Sequence, residues 1–221
     1  LKVLAGAEPP AGGDVLVKGG LGYLPQDPRM DSVPPETPAL THVLSGRGFD
    51  EAARRLETLR LRMEDDPSER NIARYARAEE RFRIDGGYSA ESEVRRLAAG
   101  LGVTEGRLDL AVGMLSGGER RRVELARILY AGSDVLLLDE PTNHLDADAK
   151  DWLLGFMRAY SGALIVISHD LDLLDSEITR VLHLDRGGHD DTGEMVEYRG
   201  TYSQYVAARE RDEIRQAKLA A

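Results

Sequence analysis

Two adjacent acids close the run Leu136-Leu137-Leu138-Asp139-Glu140-Pro141. A continuously apolar stretch of this length reads as a strand covered on both faces, and the carboxyl ends of such strands are where open α/β sheets place their ligands. There Asp139 can hold Mg²⁺, directly or through water, while Glu140 can orient and deprotonate a water attacking a γ-phosphate. Taken alone, a hydrophobic strand ending in two acids is a common structural pattern. A second candidate is Leu115-Ser116-Gly117-Gly118-Glu119, which directly precedes a helical run from Arg120 to Tyr130. Gly117 and Gly118 let backbone N–H groups approach phosphate oxygens, Ser116 adds a hydroxyl, and the helix N-terminus adds positive potential. The same residues also read as an ordinary capping box, with Ser116 satisfying the first amides and Glu119 three residues on reaching back.

Two further residues follow predicted strands. Ile167-Ser168-His169-Asp170 places His169 just past the apolar run Ala163 to Ile167, at the same sheet edge as the acids, where an imidazole can meet a γ-phosphate or make a structural polar contact. Gln26 follows the run Leu21 to Leu24, and its amide can contact Mg²⁺ or position water, though singly it is a loop glutamine. His183, His189, Asp190 and Asp191 lie across a polar turn and read as a solvated hairpin end, because nothing fixes ligand geometry there.

The elements that must position these residues are legible from periodicity and turn chemistry. Leu1 to Ala5 has the composition of the last turns of a helix, stopped by Gly6 and Pro9-Pro10. Asp14 to Val17 and Leu21 to Leu24 read as two short strands around Gly19-Gly20. Helical spacing of Phe49, Ala53, Leu56, Leu59 and Met63 predicts a helix over about 50–63. Ser68 caps a second helix to about Arg83, ended by Gly86-Gly87, and a third spans 90–99 with Val94, Leu97 and Ala98 inward. After Gly113 the order is turn, helix, strand, loop, helix, strand, the rhythm of a parallel sheet in which 135–138 and 163–167 are central strands. A hairpin of 180–184 and 194–198 precedes a charged helix from Ser203.

At 221 residues and 42% hydrophobic, the chain suffices for one α/β domain with a smaller subdomain. No apolar run approaches the ~18 residues of a membrane span. No targeting segment is visible, and the absence of Cys excludes disulfides and thiolate metal sites, so the cytoplasm is the expected compartment. A formal net charge of −10 opposes indiscriminate coating of RNA or anionic membrane, so any nucleic-acid contact is local. The arginines between Arg54 and Arg83 are interleaved with acids and read as solvated helix faces carrying mixed-sign pairs.

In order, the Gln26 loop, the Leu115–Glu119 signature, the strand ending Asp139-Glu140, the segment ending Leu145-Asp146 and His169 resemble five motifs of ATP-binding cassette ATPases, and together they span most of the chain. The resemblance implies a P-loop NTPase core of that type, a mostly parallel sheet flanked by helices, with a helical subdomain over about 42–112. It implies ATP and Mg²⁺ as cofactors, Asp139 and Gln26 at the metal, and Glu140 and His169 as catalytic groups. Two cassettes would pair head to tail, with Ser116, Gly117 and Gly118 covering the nucleotide held by the partner cassette; Asp146 is carried over as a nucleotide-binding residue. Within the superfamily, Glu140-Pro141-Thr142-Asn143-His144-Leu145-Asp146 is similar to the ABC-F form, and Tyr198-Arg199-Gly200-Thr201-Tyr202-Ser203-Gln204-Tyr205 resembles the exit of an ABC-F first domain into its linker, though the tyrosines also read as an aromatic edge packing a terminal helix.

That reading makes 1–205 a nucleotide-binding domain and 206–221 the start of a charged interdomain linker. It implies a second cassette in the same protein, with the ribosome and tRNA as partners in translation or antibiotic resistance. No Gly-x-x-x-x-Gly-Lys-Ser/Thr occurs in the sequence, so the loop that cradles the β- and γ-phosphates is missing. Leu1 to Gly6 resembles the helix just after such a loop, which makes truncation the expected explanation and the chain by itself an inefficient ATPase. The alternatives are the ATPase subunit of a membrane transporter and a non-catalytic interaction module on a decayed cassette.

Overall fold

The computed structural model describes residues 1–28, 30, 32–176, 178–185 and 194–219. They fall into two compact units, Leu1–Val166 and Ile167–Ala221. In the first, strand β1 (Leu21–Leu24) pairs in parallel with β2 (Val135–Asp139), Leu24 opposite Leu138. Strand β3 (Ala163–Ile167) completes a sheet of order β1-β2-β3. Leu136, Leu137 and Leu138 are all buried, as the unbroken apolar run of β2 requires.

Two strand expectations are corrected. β3 is an edge of this sheet, half-covered in its middle and exposed at Ala163 and Ile167. An apolar run records the tendency to form a strand, while coverage is set by what packs on it. No strand forms over 14–17, where Val15, Leu16 and Val17 are exposed. A strand needs a paired neighbour as well as β-branched residues.

Leu1–Ala5 is a single helical turn, with the Ala5 amide bonded to the Leu1 carbonyl at 2.9 Å. Its stop is the expected one. Gly6 takes φ of 71°, its N–H bonds to the Val3 carbonyl at 3.1 Å, and the Ala7 N–H bonds to the Lys2 carbonyl at 2.9 Å, the paired bonds of a Schellman end.

The helical part comprises α1 (Ala39–Leu44), α2 (Phe49–Asp65), α3 (Glu69–Ile84), α4 (Gly87–Gly100) and α5 (Glu105–Leu108). α2 and α3 form a hairpin whose rings Phe49, Phe82 and Tyr88 meet edge to face, at 5.9 and 5.2 Å, and fasten it to α4. Its charged faces carry the mixed-sign pairs expected from sequence, such as Arg54–Asp50, Arg60–Glu64 and Arg83–Glu80. Ala90, Val94 and Ala98 of α4 face the core. α6 (Gly117–Tyr130) and α7 (Ala147–Ala159) follow the order read from the sequence.

The second unit holds α8 (Leu171–Ser176), an antiparallel hairpin of β4 (Arg180–Asp185) and β5 (Glu194–Arg199), and α9 (Tyr202–Leu219). Tyr205 of α9 is buried against the rings of His183, Tyr198 and Tyr202, so the tyrosine cluster packs this helix onto the hairpin. The turn bearing His189, Asp190 and Asp191 lies outside the described residues.

Candidate functional site

The parallel register places Pro25 and Gln26, the residues after β1, beside Asp139 and Glu140 at the end of β2. Asp139, Glu140 and Gln26 therefore stand at one carboxyl edge, where strand order alone predicts a ligand site. Glu140 is 5% exposed and takes φ of 51°, while His144, four residues on, takes φ of 67°. These are the only two non-glycine residues with positive φ among those described, and both lie in the turn that leaves β2. Left-handed backbone at residues with a Cβ costs of order 1–3 kcal/mol and persists only where the surroundings over-determine it.

The surroundings that do so come from α6. The Arg121 side chain, 5% exposed, donates through Nη2 to the carbonyls of Asp139 at 2.7 Å and Glu140 at 2.9 Å. Its Nη1 donates to the carbonyls of Pro25, at 3.1 Å, and Gln26. Arg122 donates to the His144 carbonyl at 3.1 Å, and the Asn143 amide returns to the Glu140 carbonyl at 3.2 Å, so both ends of the turn are held. Burial pushes the Arg121 guanidinium down from its ordinary value, opposed by the charges of Asp139, Asp27 and Glu140. Sequence reasoning missed Arg121. The signal was present: Arg121, Leu125 and Ile128 lie on the buried side of α6 at helical spacing, and a cation inside an apolar stripe needs a reason.

At the start of α6 the capping box is formed. The Glu119 amide donates to Ser116 Oγ at 3.3 Å and the Ser116 amide donates to Glu119 Oε2 at 2.8 Å. Hydrogen bonds from Ser116, its backbone amide foremost, hold the Glu119 carboxyl below the usual range. The glycines that follow are not explained by the cap. Neither Gly117 nor Gly118 has positive φ, and a Cβ built on Gly117 would meet no atom within 4 Å. The fold leaves open space there, of the kind a close-approaching phosphate would use.

Residues 110–113 run beside the proline-rich loop, with Val112 N donating to the Thr37 carbonyl and Gly113 N to that of Pro35, both at 2.9 Å. This pairing brings the signature next to the Gln26 loop. A cavity of about 580 Å³ results, lined by Gln26, Gly117, Gly118, Arg120, Arg121 and His144 among others. Asp146 is the N-cap of α7, its Oδ1 accepting from the Ala149 amide at 2.9 Å. His169 belongs to the second unit, where it is exposed two residues past β3, and Asp170 beside it caps α8 through the Leu173 amide at 3.3 Å.

Among the described residues no group of three or more His, Cys, Asp or Glu side chains is arranged to hold a metal ion. Mg²⁺ bound together with a nucleotide needs no such group, because one carboxylate, waters and phosphate oxygens complete its shell. The half-buried Asp139 carboxylate and the exposed Gln26 amide at one strand edge fit that demand.

Comparison with known proteins agrees with this geometry. The family described as ABC transporter matches residues 1–143. The chain is 38% identical over 146 residues to ATP-binding protein Uup of Escherichia coli, covering 66% of this chain and 22% of that protein. It is 33% identical over 215 residues to the energy-dependent translational throttle protein EttA of Haemophilus influenzae, 96% of this chain and 37% of that protein. It is 35% identical over 216 residues to the tylosin resistance ATP-binding protein TlrC of Streptomyces fradiae, 95% and 38% respectively. The chain thus spans well under half the length of these relatives. Among solved structures, RNase-L Inhibitor superposes with a TM-score of 0.58 at 21% identity over 94% of this chain and 33% of that one, a likeness of fold.

Proposed function

Because the chain belongs to the ABC transporter family of ATP-binding cassettes, in its ABC-F branch, we propose that it is the ATP-binding and ATP-hydrolysing module of a two-cassette protein that works on the ribosome in the cytoplasm. The observation that carries the catalytic half is the tether of Arg121, which brings the Gln26 loop and the strained Glu140 to one strand edge. In this reading Asp139 and Gln26 would hold Mg²⁺, which would supply positive charge against that developing on the phosphate. Glu140 accepts the proton of the attacking water, and its burial keeps bulk solvent from competing for that carboxylate. His169 contacts the γ-phosphate. Ser116, Gly117 and Gly118 cover the nucleotide of the second cassette through the open space at Gly117, with Asp146 at the same interface. Residues 1–205 form the cassette, with its helical subdomain at about 42–112, and 206–221 begin the linker.

The ribosomal half is supported by the likeness to EttA, a translational throttle protein, and to TlrC, an antibiotic-resistance protein, and by charge. A groove of about 930 Å³ along α2 and α3 is lined by Arg55, Arg62, Arg74 and Arg77, all exposed and without a carboxylate partner among the described residues, together with Glu51 and the pair Arg81–Asp85. On a chain of net charge −10 this is the local basic surface that contact with RNA phosphates needs. The test is to express the full-length protein and measure ATP turnover and co-sedimentation with ribosomes against salt. The full-length protein is expected to hydrolyse ATP, and the 221-residue chain to show no sustained turnover, since it lacks the phosphate-cradling loop. Changing Arg62 and Arg74 to Ala is expected to flatten the log–log salt dependence of ribosome binding by roughly 0.7 per lost phosphate contact. Absence of nucleotide binding in the full-length protein would return the chain to the non-catalytic reading, and ATPase activity with a membrane permease in place of ribosome binding would assign it to a transporter.

A separate expectation concerns the signature. Gly117→Ala, at the first position of α6, is expected to keep the fold or stabilise it by up to ~1 kcal/mol, because Ala is the better helix former. The same substitution is expected to abolish ATP-dependent pairing of the two cassettes, read by nucleotide-dependent cross-linking. Pairing at the parent level would show that no phosphate approaches that glycine.

A further inference from the structure

We infer that Arg121 is a positioning residue that couples the signature helix to the hydrolytic edge of its own cassette, setting Gln26 and Glu140 together from one guanidinium. The division of its bonds is what singles it out. One terminal nitrogen serves the two carbonyls after β1, those of Pro25 and Gln26, and the other serves the two at the end of β2, those of Asp139 and Glu140. The planar fork fixes the angle between its nitrogens, so the two segments cannot shift independently while both sets of bonds are kept. Nε is buried without a hydrogen-bond partner, so the cation depends on these four carbonyls to offset its loss of water.

Arg121 stands one turn into α6, four residues after Gly117. Movement of the helix start therefore reaches both segments through a short, rigid path. Glu140 feels it through its own carbonyl, at a residue whose φ of 51° is a strained setting that has to be imposed. The role is distinct from catalysis, since the four hydrogen bonds of Arg121 in this cluster all go to backbone oxygen. Its effect on the reaction is through where the Glu140 carboxylate and the Gln26 amide are held, and a misplacement of about 1 Å at such groups costs on the order of 10²-fold in rate.

This inference rests on the ATPase reading for its kinetic consequence and on geometry alone for its structural one, and the test separates them. Amide hydrogen exchange of the 221-residue chain, without nucleotide, is compared for the parent, Arg121→Leu, Arg121→Gln and Arg121→Lys. The Asn143 amide and those of Gln26 and Asp27 that exchange measurably are expected to open roughly tenfold faster in the Leu and Gln variants. The Ala149 amide, held by Asp146, should be unmoved, and Lys, which can keep only some of the carbonyl bonds, should fall between. In the full-length protein the Leu and Gln variants are expected to lose about 10²-fold in kcat with KM for ATP changed by less than about twofold. Exchange at parent rates in both segments overturns the coupling whatever the enzyme does. Faster exchange with parent kcat, in a full-length protein that hydrolyses ATP, overturns the positioning role. If Leu fails to fold, the Lys and Gln variants carry both measurements; full-length protein that does not turn over ATP refutes the ATPase reading and leaves the exchange result to decide the coupling.

Discussion

Glu140→Gln in the full-length protein is expected to lower kcat for ATP hydrolysis by about 10³-fold while ATP binding survives. The amide has the carboxylate's shape, so a side chain that is 5% exposed can be exchanged without opening a cavity. The backbone at this position is held independently of the side chain, through the Arg121 and Asn143 bonds to the Glu140 carbonyl. What the substitution removes is basicity toward the attacking water. Two cassettes that can bind nucleotide and close but cannot hydrolyse it should accumulate in the closed state, so ribosome-bound protein should rise as turnover falls. Single-turnover hydrolysis in the variant at the parent rate would remove Glu140 from the role of base. Asp139→Asn makes the contrast: if Asp139 holds Mg²⁺, its loss should be partly recovered by raising the Mg²⁺ concentration, a rescue that Glu140→Gln should not show.

The parts of this site that the sequence disclosed are those encoded by local pattern. The run Leu136 to Leu138 announces a covered strand, and the acids after it stand at its carboxyl end. Ser116 and Glu119 stand at the spacing of a capping box, and the box is present. What the sequence left out depends on partners distant along the chain. Arg121 lies 95 residues from Gln26, and its four acceptors are backbone carbonyls, which leave no residue-type signature at all. The positive φ of Glu140 is similarly silent, because Glu is not a residue type that favours the left-handed region. Val15 and Leu16 have the composition of a strand yet remain exposed, and β3 has that of a central strand yet lies at an edge of the sheet. In both cases the chain specifies a propensity and the neighbours decide the outcome. The family resemblance carried the motif assignments further than periodicity could, and it did so on residue order across the chain.

The largest expected loss of stability lies away from the nucleotide edge, in the packing of α1 on α6. Glu124→Ala is expected to destabilise the first unit by about 3 kcal/mol, because it leaves two cationic or polar side chains in place around a lost carboxylate. His42, 8% exposed, has Nε2 at 2.7 Å from Glu124 Oε2, and Arg127 donates to the same carboxylate at 2.6 and 3.0 Å. Burial by itself would raise the Glu124 carboxyl, but the bonds from His42 and Arg127 outweigh it and hold the group below the usual carboxylate range. The sign of the pH effect follows. A carboxyl whose folded value is depressed contributes stability that is present above its unfolded value, about 4.3, and is lost as pH falls through the folded one. Chemical denaturation should therefore show the parent losing stability on acidification below about pH 4, with Glu124→Ala less stable at neutral pH and flatter through that acid range. Glu124→Gln separates charge from contact: it can still accept from one neighbour, so it should recover part of the neutral-pH loss while keeping the flattened profile. A loss under about 1 kcal/mol, or an acid limb as steep as the parent's, would mean that the α1–α6 contact is held by the buried apolar residues of the two helices, such as Ala39 and Val43 of α1 and Val123 and Ala126 of α6, and that the buried carboxylate is incidental to it.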